Sequence, residues 1–482
     1  AEHNRALLNP QGRAGFIVPP GLATDDTTKA FFQSLVSQRA LASLYEFENE
    51  EFLFPGIDHR VRFIVITVTG TIGVKHPADL SFGNRRVSSL KDQERHFTLT
   101  PADFAALNPN TQTCPTFRCR RDAEINLRIY RRAGILWREE SEDGNLWGLR
   151  FLRMLDMAMD SDLFRTQSDL LSAGGRRIAN VFHLGEQRFL PLVEAKMVHH
   201  FDHRFGTYEG QTQAQENQGK LPEFDDTAHA DPNRLTIPYY WVDSAAVDSR
   251  LSERWNRGWL LGWRDICRST DQRTVIASLV PRSAIGHTSP LLFSDQEPID
   301  IAALYANLCS FALDYAARQK IGGTHLTYAY LKQFPVLPPA TYGEPAGWER
   351  GTVLRDWILP RVLELTYTAW DLESFATDVG CDGPPFRWDA ARRFLLRAEL
   401  DAAFFHLYGI ARDDVDYVMD TFPIVRRNDE KAHGEYRTKR VILEIYDAMS
   451  DAARSGHAYQ TRLDPPPADP RIAHPKESRR SP

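Results

Sequence analysis

The sequence that decides the fold begins Ile285-Gly286-His287-Thr288-Ser289-Pro290 and continues through an apolar segment over 301–319. It closes as Gly322-Gly323-Thr324 and Leu331-Lys332-Gln333-Phe334-Pro335-Val336-Leu337-Pro338-Pro339. Leu304, Leu308, Phe311, Ala312 and Tyr315 recur at helical intervals, which predicts one helix over 301–319 with a single buried face. Arg318 and Lys320 crowd its last turn, where cations complement the partial negative charge of the terminal carbonyls, and the glycine pair ends it. The same pattern suits any core helix with a proline-rich exit, so its meaning depends on its surroundings.

Upstream, 136–340 is rich in aromatics and in short β-prone runs, at 147–154, 188–196, 239–242, 259–264 and 274–279. Arginines stand between aromatic residues, as in Trp255-Asn256-Arg257-Gly258-Trp259 and Trp263-Arg264. That interleaving suits base stacking and groove contacts, and equally the faces of a half-buried sheet. The polar segment 211–230 has no periodicity and reads as a long surface loop. Before it, 97–135 is a basic connector, with Arg118, Arg120 and Arg121 leading into a helix over Ile125, Leu127, Ile129 and Tyr130. Those arginines fit phosphate contacts or a solvated helix face diluted by Asp122 and Glu124.

The first 71 residues read as strand, helix, strand, loop, strand. Gly15-Phe16-Ile17-Val18 is a short strand closed by Pro19-Pro20-Gly21. Thr24, Asp25 and Asp26 are placed to cap a helix with Phe31, Phe32, Leu35 and Val36 on one stripe, and strands follow at 41–47 and 63–68. The last third is helical, with periodic segments at 353–375, 390–407 and 439–453 after a Pro/Gly linker, and a disordered polar tail over 465–482.

Composition bounds the rest. A chain of 482 residues holds several domains, and 42% hydrophobic with 25% charged residues is the balance of a soluble globular protein. No run of about 18 uncharged apolar residues is present, so no membrane span is expected. Five scattered cysteines point to a reducing cytoplasm rather than a disulfide framework. With a net charge of -6, any nucleic-acid contact must come from local basic patches. The opening Ala1-Glu2-His3-Asn4-Arg5 has no signal-peptide pattern and no initiator methionine, and the chain reads as a fragment, the C-terminal part of a longer protein.

In combination these strings resemble large adenine-specific DNA methyltransferases, type IIG-like, of restriction–modification and related phage-defence systems. Gly-Arg-Ala-Gly-Phe-Ile-Val-Pro at 12–19 resembles the phrase that follows their catalytic motif. Asn108-Pro109-Asn110-Thr111 and the arginines after it resemble the link between their two domains. The helix, Gly-Gly turn and Leu-Pro-rich close of 301–339 resemble the end of their target-recognition domain. Arg397 to Asp401, Tyr408-Gly409-Ile410 and Asp420 to Val425 resemble a recurrent C-terminal block.

The resemblance implies an α/β fragment, the last strands of a Rossmann-like methyltransferase sheet, then an α+β target-recognition domain and a helical C-terminal region. The implied boundaries are 1–96 for the catalytic portion, 97–135 for the connector, 136–340 for recognition, 341–460 for the helical domain and 461–482 for the tail. The parent would transfer a methyl group from S-adenosylmethionine to the amine of a flipped adenine. The glycine-rich donor loop and the Asn-Pro-Pro-aromatic motif that do this in the family are not found here. Asn9-Pro10-Gln11 lacks the second proline and the aromatic. No catalytic, cofactor-binding or metal residue is therefore expected in this chain, and S-adenosylmethionine is not expected to bind it alone. The implied partners are double-stranded DNA and an upstream catalytic part of the same polypeptide, or a catalytic subunit. The expected DNA contacts are Lys196, His199, His203, Arg204, Arg264, Lys320 and Lys332 on one face of the recognition domain, with Arg118 and Arg121 in the connector. A free sheet edge with bare apolar surface around Phe16, Val18, Ile64 and Ile66 is also expected.

Two other readings stay open. The chain could be a non-catalytic DNA-specificity subunit. It could also be a metal-dependent nuclease, because Asp169 with Glu194-Ala195-Lys196 imitates paired magnesium carboxylates beside a lysine. His199 and His203 have the i, i+4 spacing of zinc ligands, but no third ligand follows in register, and Cys114 and Cys119 lack Cys-x-x-Cys spacing.

Overall fold

Alternation of β-branched residues over 63–68 builds the centre of the first sheet, in a computed structural model that describes residues 1–321 and 323–480. Gly322, Ser481, Pro482 and the side chain of Asp26 lie outside the described residues. The chain forms two compact units, one of 1–144 with 332–335 and 408–410, the other of 145–331, 336–407 and 411 onward.

In the first unit, β1 (Arg13–Val18), α1 (Lys29–Ser37), β2 (Leu41–Glu48) and β3 (Arg62–Thr69) supply the expected strand, helix, strand, loop and strand. Two further strands, β4 (Ala78–Asn84) and β5 (Phe97–Leu99), extend the sheet, whose order is β1-β3-β2-β4-β5. The β2–β4 pair is parallel and the other pairs are antiparallel. Because β3 lies between β1 and β2, Ile64, Ile66 and Val68 are fully buried, contrary to the bare surface expected at Ile64 and Ile66. Exposure falls instead on Ile17 of the edge strand β1, while Phe16 and Val18 are half-buried. Beyond the sheet, α2 (Pro101–Leu107) starts on a reciprocal cap between Thr100 and Asp103. Asp103 also accepts from Arg131 of α3 (Arg120–Ala133) at 2.8 Å. The segment 332–335 joins this unit because Trp137 N–H donates to the Lys332 carbonyl, Leu136 N–H to that of Phe334, and Tyr130 Oη to that of Gln333.

The second unit holds two sheets. One has the order β7-β11-β10-β9-β8, from β7 (Arg165–Thr166), β8 (Arg176–Ile178), β9 (Val181–Leu184), β10 (Gln187–Val193) and β11 (Tyr240–Asp243). The other has the order β13-β12-β15-β6, from β6 (Arg150–Leu152), β12 (Trp259–Trp263), β13 (Ala277–Pro281) and β15 (Leu291–Phe293). A short β14 (Ala284–Ile285) pairs in parallel with β10. The strand expected at 274–279 starts only at Ala277, because Thr274 N–H is taken by the Asp314 carboxylate at 3.1 Å.

The single helix expected over 301–319 is two helices, α4 (Pro298–Leu308) and α5 (Phe311–Arg318). Ser310 breaks the run by accepting from Leu313 N–H at 3.2 Å, and Asp401 accepts Phe311 N–H at 2.8 Å, so a second N-terminus is capped inside an apolar stretch. Further corrections follow along the chain. The surface loop at 211–230 contains the short helices Gln213–Asn217 and Asp226–His229. The helix expected at 353–375 ends at Thr366, as α6 (Leu354–Thr366). After α7 (Ala390–Leu407), two unforeseen helices, α8 (Arg412–Asp420) and α9 (Pro423–His433), precede α10 (Arg437–Ser455), which packs on α7. The tail expected to be disordered is pinned through Arg480, which pairs with Asp231 at 2.8 Å, and Asn233 Nδ2 donates to the Ser478 carbonyl at 2.7 Å. No helix among the described residues is long and apolar enough to cross a membrane.

Candidate nucleic-acid interface

The β7-β11-β10-β9-β8 sheet presents an aromatic, cationic cleft at one end. Leu170, Phe182, Phe189 and Trp241 form the core beneath it. Trp241, inside β11, packs into that core, whereas Tyr239 stands just before the strand and is 48% exposed. Tyr239 contacts the Tyr208 ring at 5.4 Å and that of Tyr240 at 4.6 Å between centroids. At the end of β10, Glu194 accepts the Tyr208 hydroxyl at 2.5 Å. Lys196 sits 3.4 Å from the other Glu194 oxygen and 4.8 Å above the Tyr208 ring, a cation–π position. Burial, with the Glu194 hydrogen bond, pushes the Tyr208 phenol far above its ordinary pKa, so it remains a donor. The cleft is about 480 Å³ and open, with Gln167, Ser168, Arg177 and Tyr208 among its walls. It combines the Arg177 guanidinium for phosphate contact with π faces and hydroxyls for sugar or base contact.

Of the nine residues expected to touch DNA, Lys196 stands over the Tyr208 ring, paired with Glu194, and is not itself among the cleft walls. Arg204 is 1% exposed and donates to the carbonyls of His229, Asp231, Arg234 and Thr368 at 2.9–3.0 Å. His203 is likewise buried, its Nε2 2.9 Å from the Asp371 carboxylate. Arg264 donates its Nε to the Val198 carbonyl at 2.9 Å and stacks on Phe205, and burial lowers its pKa to about 10. Burial also pulls His199 down to about 3, so it is neutral at physiological pH and lines a separate cleft. Lys320 is half-buried, and desolvation holds its pKa well below the usual lysine value.

Lys332, Arg118 and Arg121 belong to the first unit rather than to the recognition face. Lys332 is committed to Glu139 at 2.6 Å and to the Trp137 ring at 4.5 Å, while Arg118 is exposed and Arg121 half-buried.

The nuclease-like residues have separate local tasks. Asp169 caps its own helix by accepting from Thr166 N–H and Oγ1 at 2.9 and 2.7 Å, whereas Glu194 serves Tyr208 and Lys196. Among the described residues there is no group of three or more His, Cys, Asp or Glu that could hold a metal ion. Sequence reasoning missed Tyr208, Tyr239 and Arg177. The available signal was the aromatic run Tyr239-Tyr240-Trp241 where a strand begins.

No family model and no curated protein matches the chain. Among solved structures, a type IIL restriction-modification enzyme, MmeI, in complex with DNA matches with a TM-score of 0.38 at 11% identity. That match covers 86% of this chain and 50% of MmeI. The type IIG restriction endonuclease BpuSI matches with a TM-score of 0.29 at 12% identity, over 93% of this chain and 49% of BpuSI. The chain thus spans about half the length of each. Likenesses this distant carry no argument about chemistry.

Proposed function

We propose that this chain is the DNA-reading portion, with part of the catalytic domain, of a site-specific adenine N6 DNA methyltransferase that uses S-adenosylmethionine in restriction–modification or phage defence. The observation that carries DNA reading is the open cleft lined by Tyr239, Tyr208 and Arg177, with Lys196 stacked over the Tyr208 ring. The edge strand β1, which carries the Gly-Arg-Ala-Gly-Phe-Ile-Val-Pro phrase, supports assigning the first unit to a larger sheet. Its cytoplasmic setting and its partners, duplex DNA and a catalytic part outside these residues, belong to the same proposal.

One cleft of the first unit is a poor match for the methyl donor. It is about 190 Å³, smaller than the roughly 300 Å³ at which small-molecule sites begin. Arg39, Lys75 and His76 line it without a carboxylate, a poor setting for a sulfonium cation. No transfer step is therefore assigned to this chain. Titration of the purified chain with S-adenosylmethionine should give no saturable binding, and a labelled-methyl assay should give no turnover. Either signal would place the catalytic site inside these residues. A DNA-specificity subunit beside a separate catalytic subunit is the second reading, favoured by the same unsuitable cleft.

Duplex binding tests the interface. Tyr239→Ala should weaken it by about tenfold, the effect of losing one stacking or sugar contact. Lys196→Gln should lower the log–log salt slope by about 0.9, one phosphate contact. Fluorescence anisotropy across a salt series reads both, and an unchanged slope would remove Lys196 from the DNA surface.

A further inference from the structure

We propose that Arg176, His183 and Arg188, one row across β8, β9 and β10, hold the phosphate backbone of the duplex that also enters the tyrosine cleft. The proposal rests on the DNA reading above and adds to it a second contact surface, on the other face of the same sheet.

Strand register sets the row. Arg176 pairs with His183, and His183 pairs with Arg188, so the three side chains leave the sheet on one side, roughly 5 Å from one strand to the next. The neighbouring row is Arg177, Phe182 and Phe189, whose two phenylalanines belong to the buried core. Alternation therefore turns the basic row away from that core. Leu190 and Leu192, on the basic side of β10, are buried, so the row lies where the cover over this side ends. Arg176 and Arg188 are exposed, and His183 is half-buried.

No described carboxylate neutralises the row. None of the three side chains makes a hydrogen bond or an ion pair with a described residue. Glu186, in the turn between β9 and β10, forms no ion pair with a described residue either. Asp169 caps its own helix, and Asp243 accepts from Gln187 Nε2 and Ala245 N–H. Like charges at directly opposed positions destabilise a sheet, so the fold gains nothing from this row. A polyanion complements it: two guanidinium groups and an imidazole N–H in a line suit successive phosphates. In a chain of net charge -6, such a cluster is a local patch and not part of a general basic surface. Continuity with the cleft identifies the occupant. β8 is the edge strand, and it turns Arg176 to this side and Arg177 to the cleft, so a duplex that meets Arg177 reaches the row by passing that edge.

Duplex binding by the full chain, read by anisotropy across a salt series, tests this surface. Arg176→Gln combined with Arg188→Gln should lower the log–log salt slope by about 1.8, two phosphate contacts at about 0.9 each. The loss should be equal on unrelated duplex sequences, because phosphates carry no sequence information. The thermal midpoint should not fall, since neither arginine has a partner to lose and a like-charge repulsion is relieved. Arg454→Gln combined with Arg471→Gln removes the same charge from arginines paired with Asp451 and Asp469, and should keep the wild-type slope. The proposal is overturned if the Arg176/Arg188 variant keeps the wild-type slope, if the control variant lowers the slope as much, or if the loss is confined to one sequence. Those outcomes leave the DNA reading standing. A wild-type chain that binds no duplex at any salt concentration would overturn that reading, and this surface with it.

Discussion

Arg204→Met is expected to destabilise the chain by about 3–5 kcal/mol, the cost of breaking a buried charge network, while the folded fraction keeps its duplex affinity. Arg204 and the neighbouring side chain of Asp202 are buried together, and Asp202 accepts from Arg204 N–H at 2.9 Å and pairs with His229 Nε2 at 3.1 Å. The guanidinium satisfies four carbonyls from distant parts of the second unit, and methionine leaves them all without a donor. Urea unfolding at neutral pH measures the loss. A variant with wild-type stability and weakened DNA binding would put Arg204 back on the DNA surface.

The same network carries a pH signature. Burial alone would push Asp202 up, but the His229 hydrogen bond and the nearby positive charges outweigh it, and the carboxyl settles at about 2. Its pKa is thus depressed below the unfolded value of about 3.9, so its stabilisation is present above pH ~4 and disappears as pH falls toward 2. Asp202→Asn should therefore differ most from wild type at neutral pH and converge with it in acid, as read by unfolding midpoints between pH 2 and 7.

Local patterns were legible where one rule governs the residue. β-Branched content located β3, a short apolar run located β10 though it ends at Val193, and helical spacing located α7 to the residue. It failed at Ser310, because a small hydroxyl inside an apolar run has no periodic signature. Its capping role depends on Leu313 N–H, and the break is completed by Asp401, 91 positions beyond Ser310 in sequence (401 − 310). The basic residues expected at DNA show the same limit. Arg204 and Lys196 are both cations in a segment rich in His and Arg, yet one is sealed by carbonyls from elsewhere and the other, half-exposed, lies over the Tyr208 ring beside Glu194. Sequence reports charge, whereas availability of that charge is set by long-range partners. The tail was misread for a related reason. Its composition is that of a disordered segment, but Arg480 and Ser478 are held by Asp231 and Asn233.

Asp314→Ala should be as damaging as Arg204→Met, at about 3–5 kcal/mol, because it strands two guanidinium groups at once. Asp314 is fully buried and accepts from Arg273 Nε at 2.6 Å, Arg318 Nε at 3.3 Å and Thr274 N–H at 3.1 Å. Arg318, which the helical pattern alone would leave to the helix dipole, is instead clamped one turn back and lies 4.1 Å from the Phe422 ring centroid. Each arginine thus rests on an aromatic face on one side and on this carboxylate on the other, and alanine leaves both charged with no counter-ion. Asp314→Asn keeps an acceptor for Thr274 but loses the charge, so its cost should be intermediate. The decisive comparison is a double-mutant cycle. Adding Arg318→Met to Asp314→Ala removes one stranded charge and should recover part of the lost stability, a coupling outside the roughly 0.5 kcal/mol expected of independent sites. Additive losses in urea unfolding would mean that Arg318 draws its stability from Phe422 and the Asp271 and Gln272 carbonyls, to which its Nη2 also donates, and not from Asp314.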